Sequence, residues 1–375
     1  MKRLICFAVC IFLAGCGLLP DAPEVEPERG TTAREEEVVE FNGEQDIWNM
    51  IIDDIRAEGF DVIGSFGRYY YGYDTTVMAG DGSNFCIFDE YGRKADIEWP
   101  EWTNGLSRSG WAASYGDLYE VVRQFDDDSS VMLIRINGDD LSVEPLFSIP
   151  YDDDTDADIR LNLRPTDSGV IVEKTVSTYN YLGSSRTVQY TAWIYDRNSG
   201  GKEVINETMS YRSSDADSSG VEVIGTFLRD GELHAIGTGI RDGKLELVLC
   251  RYSLEGALLG TKKIGTPAFT VASSDAILLG DGVALLYNGA VYIMKGGEEW
   301  EHRDVRYAYN SDYLIAFNPD SGHGIVYDLE SGESVTFAAE EVKGREISIF
   351  ATEYGFGAVV DGQTFVVKNV EEIFK

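Results

Sequence analysis

The chain has 375 residues, with 65 acidic against 31 basic side chains and a formal net charge of −34. No basic stripe is available to a phosphate backbone, which excludes nucleic acid as a partner. Hydrophobic residues make up 43% and 40 glycines stand against 9 prolines, the composition of a folded chain with many turns rather than of a disordered one.

Met1-Lys2-Arg3 is basic, and Leu4 to Ala14 is an apolar run too short for an ordinary membrane span. The segment 1–15 reads as a secretory signal. Its end, Leu13-Ala14-Gly15-Cys16, resembles the lipobox of bacterial lipoproteins. The resemblance implies that Cys16 is acylated and becomes the mature N-terminus. Several acyl chains, each contributing about 0.8 kcal/mol per buried CH₂, then hold the protein in a bilayer. The expected location is the outer face of the plasma membrane, or the periplasm and outer membrane in a host that has one. Gly17 stands where some inner-membrane lipoproteins carry a retention aspartate.

Residues 16–41 are rich in Pro, Glu and Asp and read as a disordered acidic tether. Over 42–58 the spacing predicts one short amphipathic helix. Asn42 and Gln45 fit a capping box, Ile47, Trp48, Ile51, Ile52 and Ile55 share a face, and Gly59 ends it.

Residues 59–375 read as all-β. Asn84 to Trp99 is an apolar strand, a polar turn closed by Gly92 and a second strand. The pattern returns around Gly138, Gly200, Gly256 and Gly332, with weaker copies near Gly296 and Asn369. Several copies carry an Asx-Gly pair one strand earlier, at Asp81, Asp242, Asn288 and Asp361, which suits hairpin turns needing positive φ. Successive turn glycines lie roughly 35 to 60 residues apart, the range of propeller blades. About 315 residues at about 45 per unit give about seven blades of four strands, with six or eight as alternatives. Radial repetition of small sheets leaves only short edges, so a β-propeller is the expected fold. Units begin near Phe60, Gly110, Ile159, Val221, Phe269, Tyr307 and Ile347, and Thr175 to Arg186 reads as an extended hairpin or insertion.

The turns Tyr195-Asp-x-x-Ser-Gly200 and Tyr327-Asp-x-x-Ser-Gly332 resemble those of quinoprotein-type propeller repeats. That family includes outer-membrane assembly lipoproteins and periplasmic dehydrogenases. The resemblance implies the fold and no functional residue.

Cys86 and Cys250 each precede a turn glycine by six positions. Equivalent sites in separate units predict two buried thiols and no disulfide. His234, His302 and His323 have no second histidine or cysteine at ligand spacing, so no zinc site is expected and each reads as a turn or surface residue. Asp215, Asp217 and Ser219 before Gly220 alternate oxygens like the first half of a calcium loop, although Thr226 replaces the bidentate glutamate. They are the one metal candidate, and no other cofactor is expected. The run from Asp152 to Asp158 lacks such a glycine and reads as a solvated acidic loop.

Tyr69, Tyr71, Trp99, Trp102 and Trp111 gather where the first unit passes into the second. Exposed rings there could stack on sugars or grip a protein, while inter-blade packing is the structural alternative. The favoured function is a membrane-anchored lipoprotein whose monomeric propeller binds a protein or a cell-envelope glycan. The alternatives are a propeller enzyme of glycan hydrolase or lyase type, using carboxylates at the channel mouth, and an envelope assembly factor.

Overall fold

The structure, a computed structural model, describes residues 51–370 apart from short internal segments, the longest being 77–84, 267–274 and 213–219. Cys16, the acidic segment 16–41, the first part of the expected helix and the calcium candidates Asp215, Asp217 and Ser219 lie outside the described residues.

The described chain is a β-propeller of antiparallel meanders. It opens with β1 (Ile51–Ile55), β2 (Phe60–Phe66), β3 (Tyr69–Asp74) and β4 (Phe85–Phe88), then a single 3-10 turn over Glu101–Thr103. Four-stranded sheets follow. They are β5 (Leu106–Ser114), β6 (Asp117–Gln124), β7 (Ser130–Ile136) and β8 (Val143–Ile149), then β9 (Ala157–Thr166), β10 (Gly169–Tyr179), β11 (Ser185–Asp196) and β12 (Gly200–Arg212). The next is β13 (Glu222–Arg229), β14 (Glu232–Arg241), β15 (Lys244–Ser253) and β16 (Leu258–Gly265). Two more are β17 (Asp275–Leu279), β18 (Gly282–Tyr287), β19 (Ala290–Lys295) and β20 (Glu298–His302), and β21 (Arg306–Tyr309), β22 (Tyr313–Asn318), β23 (His323–Asp328) and β24 (Ser334–Ala338). The chain closes with β25 (Ile347–Thr352), β26 (Gly355–Val360) and β27 (Gln363–Val367).

Two expectations are corrected here. Hydrogen bonding gives six blades, not seven: five four-stranded sheets and one of seven strands, in the order β1-β27-β26-β25-β2-β3-β4. The first and last meanders merge because β2 and β25 meet in a parallel pair, Gly64 opposite Ala351. No side chain on Gly64 holds the two strands apart. The second correction concerns the helix. Residues 51–55 form β1, which pairs antiparallel with β27, Ile51 opposite Val367 and Ile55 opposite Thr364. Isoleucine serves a strand at least as well as a helix, and the open edge of β27 decides between them. No α-helix occurs among the described residues.

Middle strands are buried on both faces, as in Gly282–Tyr287 and Tyr313–Asn318, because each sheet lies between two neighbours. Last strands such as β16 and β20 stay partly exposed. The seams are apolar: Val170, Val172 and Trp193 pack with Tyr119, Val121 and Leu133, and Ile277 and Leu286 with Leu314 and Ile325. Each fully buried side chain of this size contributes about 1.5–3 kcal/mol, which makes these seams the main source of stability.

The recurrent turns follow local chemistry. Asp196 Oδ1 accepts the backbone N–H groups of Asn198 and Ser199, and Asp328 Oδ1 accepts the N–H and hydroxyl of Ser331. These are Asx-turns, and Gly200 and Gly332 leave them at φ of 78° and 68°. Cys86 and Cys250 lie on equivalent third strands, β4 and β15, and both are free thiols.

Candidate functional site

The strands β9, β13, β17 and β21 begin their sheets and face the axis, where one charged group joins them. Arg164 on β9 is 2% exposed. Its Nε donates to Glu173 on β10 at 2.8 Å, and its two terminal nitrogens to Asp275 and the Ala276 carbonyl on β17, the Tyr309 hydroxyl on β21 and the Ile224 carbonyl on β13. Four sheets thus share one guanidinium. Its carbon also lies 4.9 Å from the ring centre of Phe227, a cation–π contact.

The carboxylates are equally engaged. Glu173 Oε1 accepts from Tyr190 at 2.9 Å and from the N–H and hydroxyl of Thr226 at 2.8 and 2.6 Å, while Oε2 accepts from Asn162 at 3.0 Å. Asp275 accepts a second bond from the Tyr309 hydroxyl at 2.7 Å. Burial opposes the charge on Arg164, but Asp275 and Glu173 outweigh it and hold the group ionised well above its usual range. Burial, reinforced by the same carboxylates, pushes the Tyr190 and Tyr309 hydroxyls up, so both remain donors. Stripping water from each ion costs several kcal/mol, which only such complete satisfaction offsets.

At one mouth of the axis, turns between first and second strands converge. Glu353 accepts the backbone N–H of Gly116 at 2.5 Å and of Gly67 at 3.4 Å, tying three meanders together. Asn310 donates to the carbonyls of Thr352 and Gly355. Burial first, and then Asp167, Asp328 and Glu330, push the Asp312 carboxyl above its ordinary range. Among the described residues no cluster of His, Cys, Asp or Glu has the arrangement to hold a metal ion.

The predicted aromatic site is largely brought together. Tyr71, Phe66 and Leu118 are buried in one cluster, against which Tyr69, Trp99 and Trp111 pack half-buried. Trp111 stacks on Phe85 with centroids 4.0 Å apart and planes 3° off parallel. Burial raises the Tyr71 hydroxyl above its ordinary range. Trp102 is half-buried in the 3-10 turn, outside that cluster. Tyr69, Trp99 and Trp111 therefore serve the seam between two meanders and keep part of their surface in solvent, while Tyr71 is enclosed in it. Of the histidines, His323 is exposed as expected. His234 and His302 are instead partly buried strand residues, and His302 Nε2 meets the Tyr327 hydroxyl at 2.6 Å.

Sequence reasoning missed the whole axial network. Arg160, Asn162 and Arg164 alternate along β9 like a solvated polar face, and nothing local marks Arg164 as the one that is enclosed.

No family model matches the chain, and no curated protein does. Solved structures with a similar path include the β-propeller domain of the Trilobed protease from Pyrococcus furiosus, 10% identical, covering 68% of this chain and 79% of that one, TM-score 0.37. An alpha-L-arabinofuranosidase from Fusarium graminearum is 9% identical over 75% of this chain and 97% of that one, TM-score 0.36. An alpha-L-arabinanase from Penicillium chrysogenum is 10% identical over 70% and 93%, TM-score 0.35. Scores this low carry no argument about activity; the strand order itself establishes the chain as a β-propeller.

Proposed function

We propose that this protein is a lipid-anchored extracytoplasmic lipoprotein whose propeller is a binding or scaffold module for a protein or cell-envelope glycan. The observation that carries the binding half is the state of the axial carboxylates. Glu173 and Asp275 are both committed to Arg164 and to neighbouring hydroxyls. A glycan hydrolase would need a proton donor and a base facing substrate, whereas here those positions in the axial network serve to hold four sheets in register. The Leu13-Ala14-Gly15-Cys16 motif supports the anchor. The expected tether 16–41, about 26 residues, gives a root-mean-square span of about 25–31 Å, enough to clear a headgroup layer.

Metabolic labelling with palmitate tests the anchor. The wild-type chain should take up label and fractionate with membranes, and Cys16→Ser should do neither. Equal membrane association of the two forms would overturn it. Chemical cross-linking in intact cells tests the binding half, with a discrete adduct expected and its absence counting against the reading.

A further inference from the structure

The turns that join first strands to second strands form a belt around one mouth of the axis. Glu353 accepts the backbone N–H groups of Gly67 and Gly116. Ser114 donates its hydroxyl to the Thr166 carbonyl. Arg229 donates to the carbonyls of Gly280 and Leu329 at 2.7 and 2.6 Å, and the Leu329 N–H donates to the Asp312 carbonyl at 2.8 Å. Asn310 brings the belt round to Thr352 and Gly355, whose carbonyls it binds.

Asp167, Asp230, Asp281, Asp312 and Glu353 each lie in a different turn of this belt. Among the described residues no ion pair ties any of them to a cation. The basic side chains that reach the belt serve other acceptors: Arg68 the Tyr69 hydroxyl, Arg229 the two carbonyls above, Lys262 the Asp281 carbonyl and Lys295 the Gly332 carbonyl. Arg197 donates to the Tyr115 carbonyl and pairs with buried Asp117. Burial, and then Asp167 from another sheet, hold the Asp312 carboxyl above its ordinary range, with Asp328 and Glu330 adding to the effect.

A second observation lies beneath these acids. Thr166 is 7% exposed, and its Oγ1 has no hydrogen-bond partner among the described residues. Two residues along from Arg164, it shares the side of β9 on which Arg164 reaches β13, β17 and β21. Its hydroxyl is therefore directed into the axis just below Asp167, with its acceptor sites unused.

We propose that this mouth receives a lysine-rich segment of a partner protein. The proposal rests on the binding-module reading above and names the partner's chemistry. A recess lined by one sign of charge concentrates the opposite sign. Among the described residues no group of His, Cys, Asp or Glu is set to enclose a metal ion, and the carboxylates are distributed over separate turns. Several ammonium groups along one chain match that distribution. The lysine ammonium is compact, carries three donors and stands on a flexible stem. One such group entering past Asp167 finds in Thr166 an acceptor that the folded chain leaves open.

The test is fluorescence anisotropy of a labelled octalysine peptide against the full-length protein in an uncharged detergent at physiological salt. The fully acetylated peptide is the uncharged arm. Wild-type protein should bind octalysine and not its acetylated form. Asp167→Asn with Asp312→Asn should weaken binding about tenfold or more. Asp96→Asn with Glu98→Gln, which removes the same charge from exposed positions outside the belt, should change it by less than about twofold. Thr166→Val removes the hydroxyl but no charge and should weaken binding severalfold. It replaces an unpaired buried hydroxyl by a methyl group, so its melting temperature should stay level or rise, and it decides the matter if the double variant misfolds. No binding of octalysine, or equal loss in the two double variants, overturns the proposal. Undiminished binding by the Asp167 and Asp312 double variant or by Thr166→Val also overturns it. None of these results touches the binding-module reading, which fails separately if cross-linking in cells gives no adduct.

Discussion

Arg164 and Asp275 lie 111 residues apart in sequence and pair across the propeller axis, joining β9 to β17. Neither residue is within reach of the other until both sheets are in place, so their ion pair reports the assembled ring rather than any one blade.

Removing that cation should be severe. Arg164→Met leaves Glu173 and Asp275 without their shared partner, and uncompensated buried charge costs about 3–5 kcal/mol. Arg164→Lys keeps the charge but loses the planar fork that serves four sheets, and should fall between wild type and Met. Chemical denaturation of the three proteins should give that order.

Gly138 tests packing without backbone strain. A Cβ there would lie 1.8 Å from the Gly116 carbonyl oxygen, a backbone atom that cannot swing away. Gly138→Ala should destabilise by about 2 kcal/mol or more. Gly231→Ala, whose Cβ meets nothing within 4 Å but whose φ is +72°, should cost about 1–2 kcal/mol from conformation alone. Thermal melts of the pair separate clash from conformation.

Two groups give acid-side signatures of different pH range. Lys94 and Thr76 hold the Asp74 carboxyl down at about 2. Its folded form therefore releases the proton more readily than the unfolded one. The contribution is complete above about pH 4 and fades as pH falls towards 2. Burial lowers His302 below its ordinary 6.5. The unfolded chain then binds the proton first, so stability drops as pH falls below about 6.5. Melting temperature against pH should flatten between pH 4 and 2 in Asp74→Asn. In His302→Gln it should flatten just below pH 6.5.

The ring closure should be separable. Deleting residues 1–55 exposes the edge of β27, whose residues Thr364 to Val367 pair with β1. At about 0.5–1.5 kcal/mol per hydrogen bond the loss is a few kcal/mol. Limited proteolysis should cut the truncated chain first within 355–370, where the intact chain resists.

Much of this architecture is written locally. The turns at Asp196 and Asp328 follow from a carboxylate two or three residues before free N–H groups and a glycine able to take positive φ. Phe60 and Ile347 coincide with the starts of β2 and β25, and Tyr307 and Val221 fall one residue from β21 and β13. What stayed hidden depends on distant partners. Ile51, Ile52 and Ile55 satisfy a helical face as well as a strand, and only β27, more than 300 residues later, selects the strand. Arg164 looks like any surface arginine of an alternating strand until three other sheets enclose it. The aromatic cluster was legible as a group, but its stacking of Trp111 on Phe85 requires the two meanders to be face to face.

The pairing of β1 with β27 has a mechanical consequence. The N-terminal strand β1 is the outermost of its sheet, so any pull on it from the N-terminal side loads a short ladder at the rim. That ladder must peel before tension can reach the axle, and a tug on the N-terminal strand would unfasten the clasp while the wheel still turns true.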